Sequence, residues 1–169
     1  MELYHGSSIA VAEPLSHAGR RNLDFGRGFY ATRLKEQARK WASLVASRKA
    51  RNAQCVVSIY ECDETEMLAG GYKYKNFPTY NMEWLNFVVA CRQGNDVTYY
   101  DIVEGGVAND QVIDTVEDYE NGRITAEQAL NQLKYKKPNN QICFRNQEII
   151  DRYLHFKCTE TINLQDITL

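Results

Sequence analysis

The chain lacks paired cysteines. Cys55, Cys62, Cys91, Cys143 and Cys158 are odd in number, and no two stand at a Cys-x-x-Cys spacing. This argues against a disulfide framework and against a zinc site, so no metal is expected. Reduced, mostly buried thiols are the expectation, and with them a reducing, cytoplasmic setting. A cationic surplus is also missing. The formal net charge is −2, which argues against a protein that holds nucleic acid by bulk electrostatics. No segment approaches the ~18 apolar residues of a membrane span. The stretch Met1–His5 has neither the basic start nor the apolar run of a signal peptide. Internal repeats and low-complexity tracts are absent. What is present is ordinary globular material: 169 residues, 44% hydrophobic and 25% charged. That suffices for one core, and residues 1–169 read as one domain.

Patterning predicts a short strand over 2–5, a long surface loop over 9–27 and a strand over 29–32. A helix is predicted over 34–49, with Leu34, Ala38, Trp41, Ala42, Val45 and Ala46 on one apolar face and Thr32 as cap. A strand over 54–62 turns Val57, Ile59 and Cys55 inward. A helix over 82–92, a strand over 98–103 and two short helices over 108–120 and 125–134 follow. The second of these opens on a Thr125/Gln128 capping box. A strand over 141–145, a helix capped by Asn146 and a last strand over 155–162 complete the order. The irregular interleaving predicts an α+β fold.

Three segments carry candidate chemistry. His5-Gly6-Ser7 closes a strand with a ring beside a glycine that lets a ligand approach the backbone. Asp24-Phe25-Gly26-Arg27-Gly28-Phe29-Tyr30 sets two close glycines before an aromatic pair. It lacks the third glycine and the following helix of a dinucleotide fingerprint. Asn139-Asn140-Gln141-Ile142-Cys143-Phe144 puts polar amides at the start of an apolar strand.

Together these segments resemble the ADP-ribosyltransferase superfamily, in the His-Tyr-Glu branch of poly(ADP-ribose) polymerases and diphtheria-like toxins. The likeness rests on His5-Gly6-Ser7, on Phe25-Gly26-Arg27-Gly28-Phe29-Tyr30, and on Trp41, eleven residues beyond the tyrosine. A further likeness, nearly full-length, is to an uncharacterised bacterial family assigned to that superfamily, through Tyr4-His5-Gly6-Ser7, Asp24–Tyr30 and the late Gln141–Phe144 strand. The resemblance implies a split β-sheet core and NAD as substrate. It implies that His5 bonds a ribose hydroxyl, that the Gly6 backbone and the Ser7 hydroxyl hold the nicotinamide carboxamide, and that Tyr30 stacks on the nicotinamide ring. Trp41 either closes the other side or simply packs in the core. Arg20 and Arg21 are candidates for the pyrophosphate, because guanidinium matches phosphate oxygens.

The branch's glutamate is replaced. Gln141 stands in its place, and Glu148 is the alternative acid, at a helix start where the dipole alone favours a carboxylate. Glutamine keeps a hydrogen bond to the ribose but loses charge and basicity. The implied activity is mono-ADP-ribosyl transfer to a protein, RNA or DNA acceptor, in a toxin or phage-defence effector that an antitoxin would restrain. A non-catalytic NAD or ADP-ribose binding module and an NAD glycohydrolase are the alternatives. Asp101 and the Asn109-Asp110 pair read as strand-edge and helix-start acids, and Lys134, Tyr135, Lys136 and Lys137 as a solvated helix end.

Overall fold

A computed structural model describes residues 1–49, 54–96, 98–108, 112–134, 136 and 139–162. Asn109, Asp110, Tyr135 and Lys137 lie outside the described residues. In chain order the elements are β1 (Glu2–Ser7), β2 (Phe29–Ala31), α1 (Lys35–Lys49), β3 (Cys55–Cys62), α2 (Glu64–Ala69), β4 (Tyr74–Phe77), α3 (Met82–Arg92), β5 (Ile102–Gly105), α4 (Ile113–Glu120), α5 (Ala126–Leu133), β6 (Gln141–Phe144), α6 (Gln147–Tyr153) and β7 (Leu154–Ile162). Strands and helices mix in the α+β manner, with two small sheets, ordered β1-β3-β7 and β2-β6-β5-β4. All neighbours are antiparallel except β4 and β5, which run parallel.

Three apolar clusters hold these layers. Between the sheets lie Leu3, Phe29, Tyr60, Ile102, Ile142, Phe144 and α6. Behind the four-stranded sheet lie Phe25, Trp84, Val103, Cys143 and helices α3–α5. Behind the three-stranded sheet, Ala38, Ala42 and Ala46 of α1 meet Cys55 and Val57.

Local chemistry sets several boundaries as expected. Thr125 and Gln128 form the reciprocal capping box at α5, and Asn146 accepts from the Glu148 N–H at α6. Four expectations are corrected. Helix α1 starts at Lys35, and the Thr32 hydroxyl accepts from Leu34 N–H while donating to the Asn140 carbonyl, 2.7 Å away. The helix buries only the alanine row, leaving Leu34 and Trp41 exposed at 53% and 45%. The strand placed at 98–103 begins at Ile102, because Tyr99 takes a left-handed backbone (φ 52°) that breaks extended geometry. Finally, α2 and β4 occupy a stretch where no element was expected. Among the described residues, no helix is long and apolar enough to cross a membrane.

Candidate functional site

The two sheets touch edge to edge at β1 and β2. Among the described residues, the bridge between these strands is the single pair Tyr4↔Thr32, whose N–H and C=O groups exchange two 2.9 Å hydrogen bonds. Extending that antiparallel pairing by two residues sets Gly6 opposite Tyr30. Backbone groups two residues apart in a strand point the same way, so the Gly6 N–H and C=O face the β2 side, as those of Tyr4 do.

Gly6 also sets how closely α1 approaches. A Cβ there would stand 2.8 Å from the Ala42 amide nitrogen and closer still to the Ala38 carbonyl oxygen. Only glycine lets the helix backbone rest this close to the strand, and the helix buries its row of Ala38, Ala42 and Ala46 on that side. The face of β1 that carries the Gly6 Cα is therefore the α1 face. Side chains of facing residues in an antiparallel pair share a face. The Tyr30 ring packs behind the four-stranded sheet, against the cluster of Phe25 and Cys143. The pairing Ala31↔Ile142, carried one residue further, sets Thr32 beside Gln141 and turns Gln141 to that same face. Tyr30 and Gln141 thus share one face of the four-stranded sheet, while Gly6 seats α1, the helix that bears exposed Trp41, on the three-stranded sheet.

Tyr30 is held at both ends. Its hydroxyl donates to the Gly26 carbonyl at 2.7 Å and accepts from Phe25 N–H at 3.1 Å, and its ring lies nearly parallel to that of Phe25. Burial pushes its phenol pKa well above the ordinary value, with the Cys143 thiol adding to the rise. Gly28 allows this loop to close on β6: a Cβ there would stand 2.8 Å from the Phe144 carbonyl oxygen and nearer to Cys143 Sγ. Asp24 fixes the start of the same segment. Its carboxylate pairs with Arg92 at 3.3 Å and accepts from Ala108 N–H at 2.7 Å, and burial raises its pKa.

His5 lies on the opposite face. Its ring packs 4.8 Å from that of Phe29, and Nδ1 lies 2.7 Å from the Tyr30 carbonyl oxygen. A carbonyl only accepts, so Nδ1 carries the proton and Nε2 is left with a lone pair. Burial lowers the His5 pKa and favours this neutral form, and the bond to Tyr30 opposes part of that shift.

The remaining candidates divide. The Ser7 hydroxyl is engaged in its own turn, donating to the Ile9 carbonyl and accepting from Ile9 N–H. Arg20 and Arg21 are exposed in the loop over 8–28. Glu148 is exposed at the start of α6, beyond the opposite end of β6 from Gln141, where Tyr72 and Arg152 donate to it at 3.0 and 3.1 Å. Asp101 is structural, accepting from Lys73 N–H and from Asn146 Nδ2, each at 2.9 Å.

A family model described as "Protein of unknown function (DUF3990)" matches residues 1–156, nearly the whole chain. The chain belongs to this family. No curated protein and no solved structure matches it.

Sequence reasoning missed the group that supports β6 in this family member. Glu104 is only 6% exposed, and its carboxylate accepts from Arg33 Nε (2.9 Å), Arg33 Nη2 (3.1 Å), Tyr74 hydroxyl (2.7 Å) and Asn140 Nδ2 (2.8 Å). Burial alone would raise the Glu104 pKa. The Arg33, Asn140 and Tyr74 donors outweigh it and hold the carboxyl below its ordinary value. Arg33 also bonds Glu64 at 2.6 Å. A lone glutamate before two glycines carries no local signal for this network, which joins residues far apart in sequence. The long loop is likewise pinned by distant partners: Val11 N–H donates to Ser58 Oγ, and Gln147 holds both Ser16 N–H and the Pro14 carbonyl.

Proposed function

We propose that this protein is a mono-ADP-ribosyltransferase that uses NAD as substrate and a macromolecule as acceptor, built on a split sheet of the ADP-ribosyltransferase kind. The observation that carries the reading is the broken junction of β1 and β2, where the backbone pairing among the described residues ends at Tyr4↔Thr32 and does not reach Gly6. In this reading the Gly6 N–H and C=O hold the nicotinamide carboxamide, which offers one matching acceptor and two donors. Tyr30 stacks on the pyridinium ring, and Trp41 closes the pocket from α1. His5 Nε2, a lone-pair acceptor once Nδ1–H is committed to Tyr30, accepts from a ribose hydroxyl.

In the reaction, the bond from ribose C1′ to the pyridinium nitrogen breaks and nicotinamide leaves with the electron pair. The acceptor nucleophile bonds C1′ and releases its proton to solvent. Positive charge develops on the ribose in between, where a carboxylate would be the strongest stabiliser. Gln141 offers only its amide oxygen to the 2′-hydroxyl. General-base assistance, commonly worth ~10²–10⁴ in rate, is then absent from that position. Slow single transfer to an already nucleophilic acceptor follows, rather than chain growth.

A second reading, an NAD or ADP-ribose binding module, is favoured by the acids themselves. Glu104 is saturated by Arg33, Tyr74 and Asn140, and Glu148 is bound at the surface by Tyr72 and Arg152. Incubation with labelled NAD⁺ and cell extract, followed by separate protease, RNase and DNase digestion, decides between them. Label in a macromolecule with nicotinamide release supports transfer. Thermal stabilisation by NAD⁺ without turnover supports the binding module, and free ADP-ribose alone supports glycohydrolase action.

A further inference from the structure

A second surface feature plays no part in the proposed reaction. A cleft of about 350 Å³ is bounded by His17, Arg27, Tyr99, Tyr100, Asp101 and Arg145. It is shallow and largely open to solvent, and so offers a ring one face to stack on rather than an enclosing pocket.

Its most unusual member is Tyr99. Among the described residues it is the one non-glycine with positive φ, 52°, and it is 77% exposed. A bulky side chain in left-handed backbone is disfavoured, and it persists only when its neighbours hold it there. They do so on both sides. Asp96 accepts from Thr98 N–H at 2.9 Å and from the Thr98 hydroxyl at 2.6 Å. Tyr100 packs against Phe87 with ring centroids 5.8 Å apart, and Asp101 is anchored by Lys73 and Asn146. The chain is thus fixed at both ends of a residue that it presents outward, an arrangement that core packing does not require.

The charged groups around the ring differ in what holds them. Arg145 pairs with Asp96 at 2.6 Å and keeps a buried Nη1 without a partner. The Asp101 carboxylate has no cationic partner among the described residues, and its two oxygens accept from the Lys73 N–H and the Asn146 amide, each at 2.9 Å. Arg27 is exposed and donates to the neutral His17 carbonyl, so among the described residues its charge has no carboxylate partner. An exposed aromatic face beside a guanidinium with no ion-pair partner among the described residues matches a ligand with a flat ring at one end and an anionic group at the other.

We propose that this cleft binds a nucleotide, with the base stacked on Tyr99 and the phosphate held by Arg27. Aromatic stacking accepts any base, and the planar guanidinium matches phosphate oxygens. The nucleotide is either free or one unit of a single strand. The assignment is independent of the reading at Gly6 and Tyr30.

The test is calorimetric titration of the full chain with uridine monophosphate, which shares no base with NAD⁺, alongside inorganic phosphate and an eight-residue oligouridylate. Uridine monophosphate should bind saturably and more tightly than phosphate. Tyr99→Gly should weaken it by about tenfold while leaving phosphate binding unchanged. Arg27→Ala should weaken both. Because glycine relieves the backbone strain, Tyr99→Gly should melt no lower than the native chain, so a loss of binding is not a loss of fold. Its NAD⁺ turnover should equal that of the native chain, which separates the fate of this cleft from that of the transferase reading. An oligouridylate at least tenfold tighter than the monophosphate, with a steep salt dependence, identifies a strand as the source; equal affinities identify the free nucleotide. Uridine monophosphate bound no more tightly than phosphate, or bound equally by Tyr99→Gly, overturns the proposal.

Discussion

The imidazole of His5 and the peptide of Tyr30 are joined across the junction of the two sheets: Nδ1 lies 2.7 Å from the carbonyl oxygen. Backbone pairing between β1 and β2 stops at Tyr4↔Thr32, so this side-chain bond supplies what the ladder does not. It aligns the strand that carries Gly6 with the strand that carries Tyr30.

The bond ties His5 to a pH dependence of stability. Burial lowers its folded pKa below the unfolded value of about 6.5. The unfolded chain therefore takes up the proton first as pH falls. The contribution of His5 is complete above about pH 6.5 and is lost as pH drops from there to its lowered folded pKa. Melting temperatures of the native chain and of His5→Gln, measured between pH 5 and 8, should converge toward the acid end. Parallel curves would remove this role. His5→Ala should also abolish NAD⁺ turnover.

Tyr30 separates ring from hydroxyl. Tyr30→Phe keeps the stacking surface but strands the Phe25 N–H and the Gly26 carbonyl, at a cost of roughly 1–3 kcal/mol. It should unfold earlier in urea yet still turn over NAD⁺, whereas Tyr30→Ala should fold and fail to turn it over. Full activity in Tyr30→Ala would discredit the stacking assignment.

Gly6→Ala should destabilise by about 3 kcal/mol, the upper end of overpacking costs, because the added carbon meets helix backbone rather than a movable side chain. Chemical denaturation reads this directly. An unchanged midpoint would show that α1 shifts freely and that its seat on β1 is not fixed by this residue.

Glu104→Gln removes the anion that Arg33, Tyr74 and Asn140 share. A loss of about 3 kcal/mol is expected, as for other buried ion pairs broken on one side. Since the folded pKa of Glu104 is lowered, its stabilisation is present above the ordinary glutamate range and is lost as pH falls through the folded value. The difference between native and variant stability should therefore shrink in acid.

Gln141→Glu restores a carboxylate on the face shared with Tyr30 and should maintain or raise NAD⁺ cleavage. Glu148→Ala should leave cleavage unchanged, because that acid sits at the far end of β6 with surface partners. Loss of activity in Glu148→Ala together with retention in Gln141→Ala would exchange the two assignments.

Elements with a strong local signal were legible in the chain: the apolar run of α3 with Trp84, Leu85 and Val88, the capping box of α5 and the Asn146 cap of α6. Strand β4 was not, because Tyr74–Phe77 is polar and gains strand geometry only from parallel pairing with β5, a partner distant in sequence. Helix α2 is six residues long and ends at a Gly-Gly turn, too short for periodicity to register. Trp41 fits the apolar helix stripe in one dimension, yet the helix buries its alanine row against the strand and leaves the indole outside.

By itself the sequence determined the order of most elements, the helix caps, and which residue types stand at His5, Gly6, Tyr30 and Gln141. Those properties follow from neighbours a few positions apart, where propensity, periodicity and capping act. The tertiary structure alone decided that backbone pairing between β1 and β2 ends at Tyr4↔Thr32, that His5 reaches the Tyr30 carbonyl, and that Glu104 is buried among Arg33, Tyr74 and Asn140. Each of these depends on strand register and long-range packing, which bring together groups that no local pattern connects.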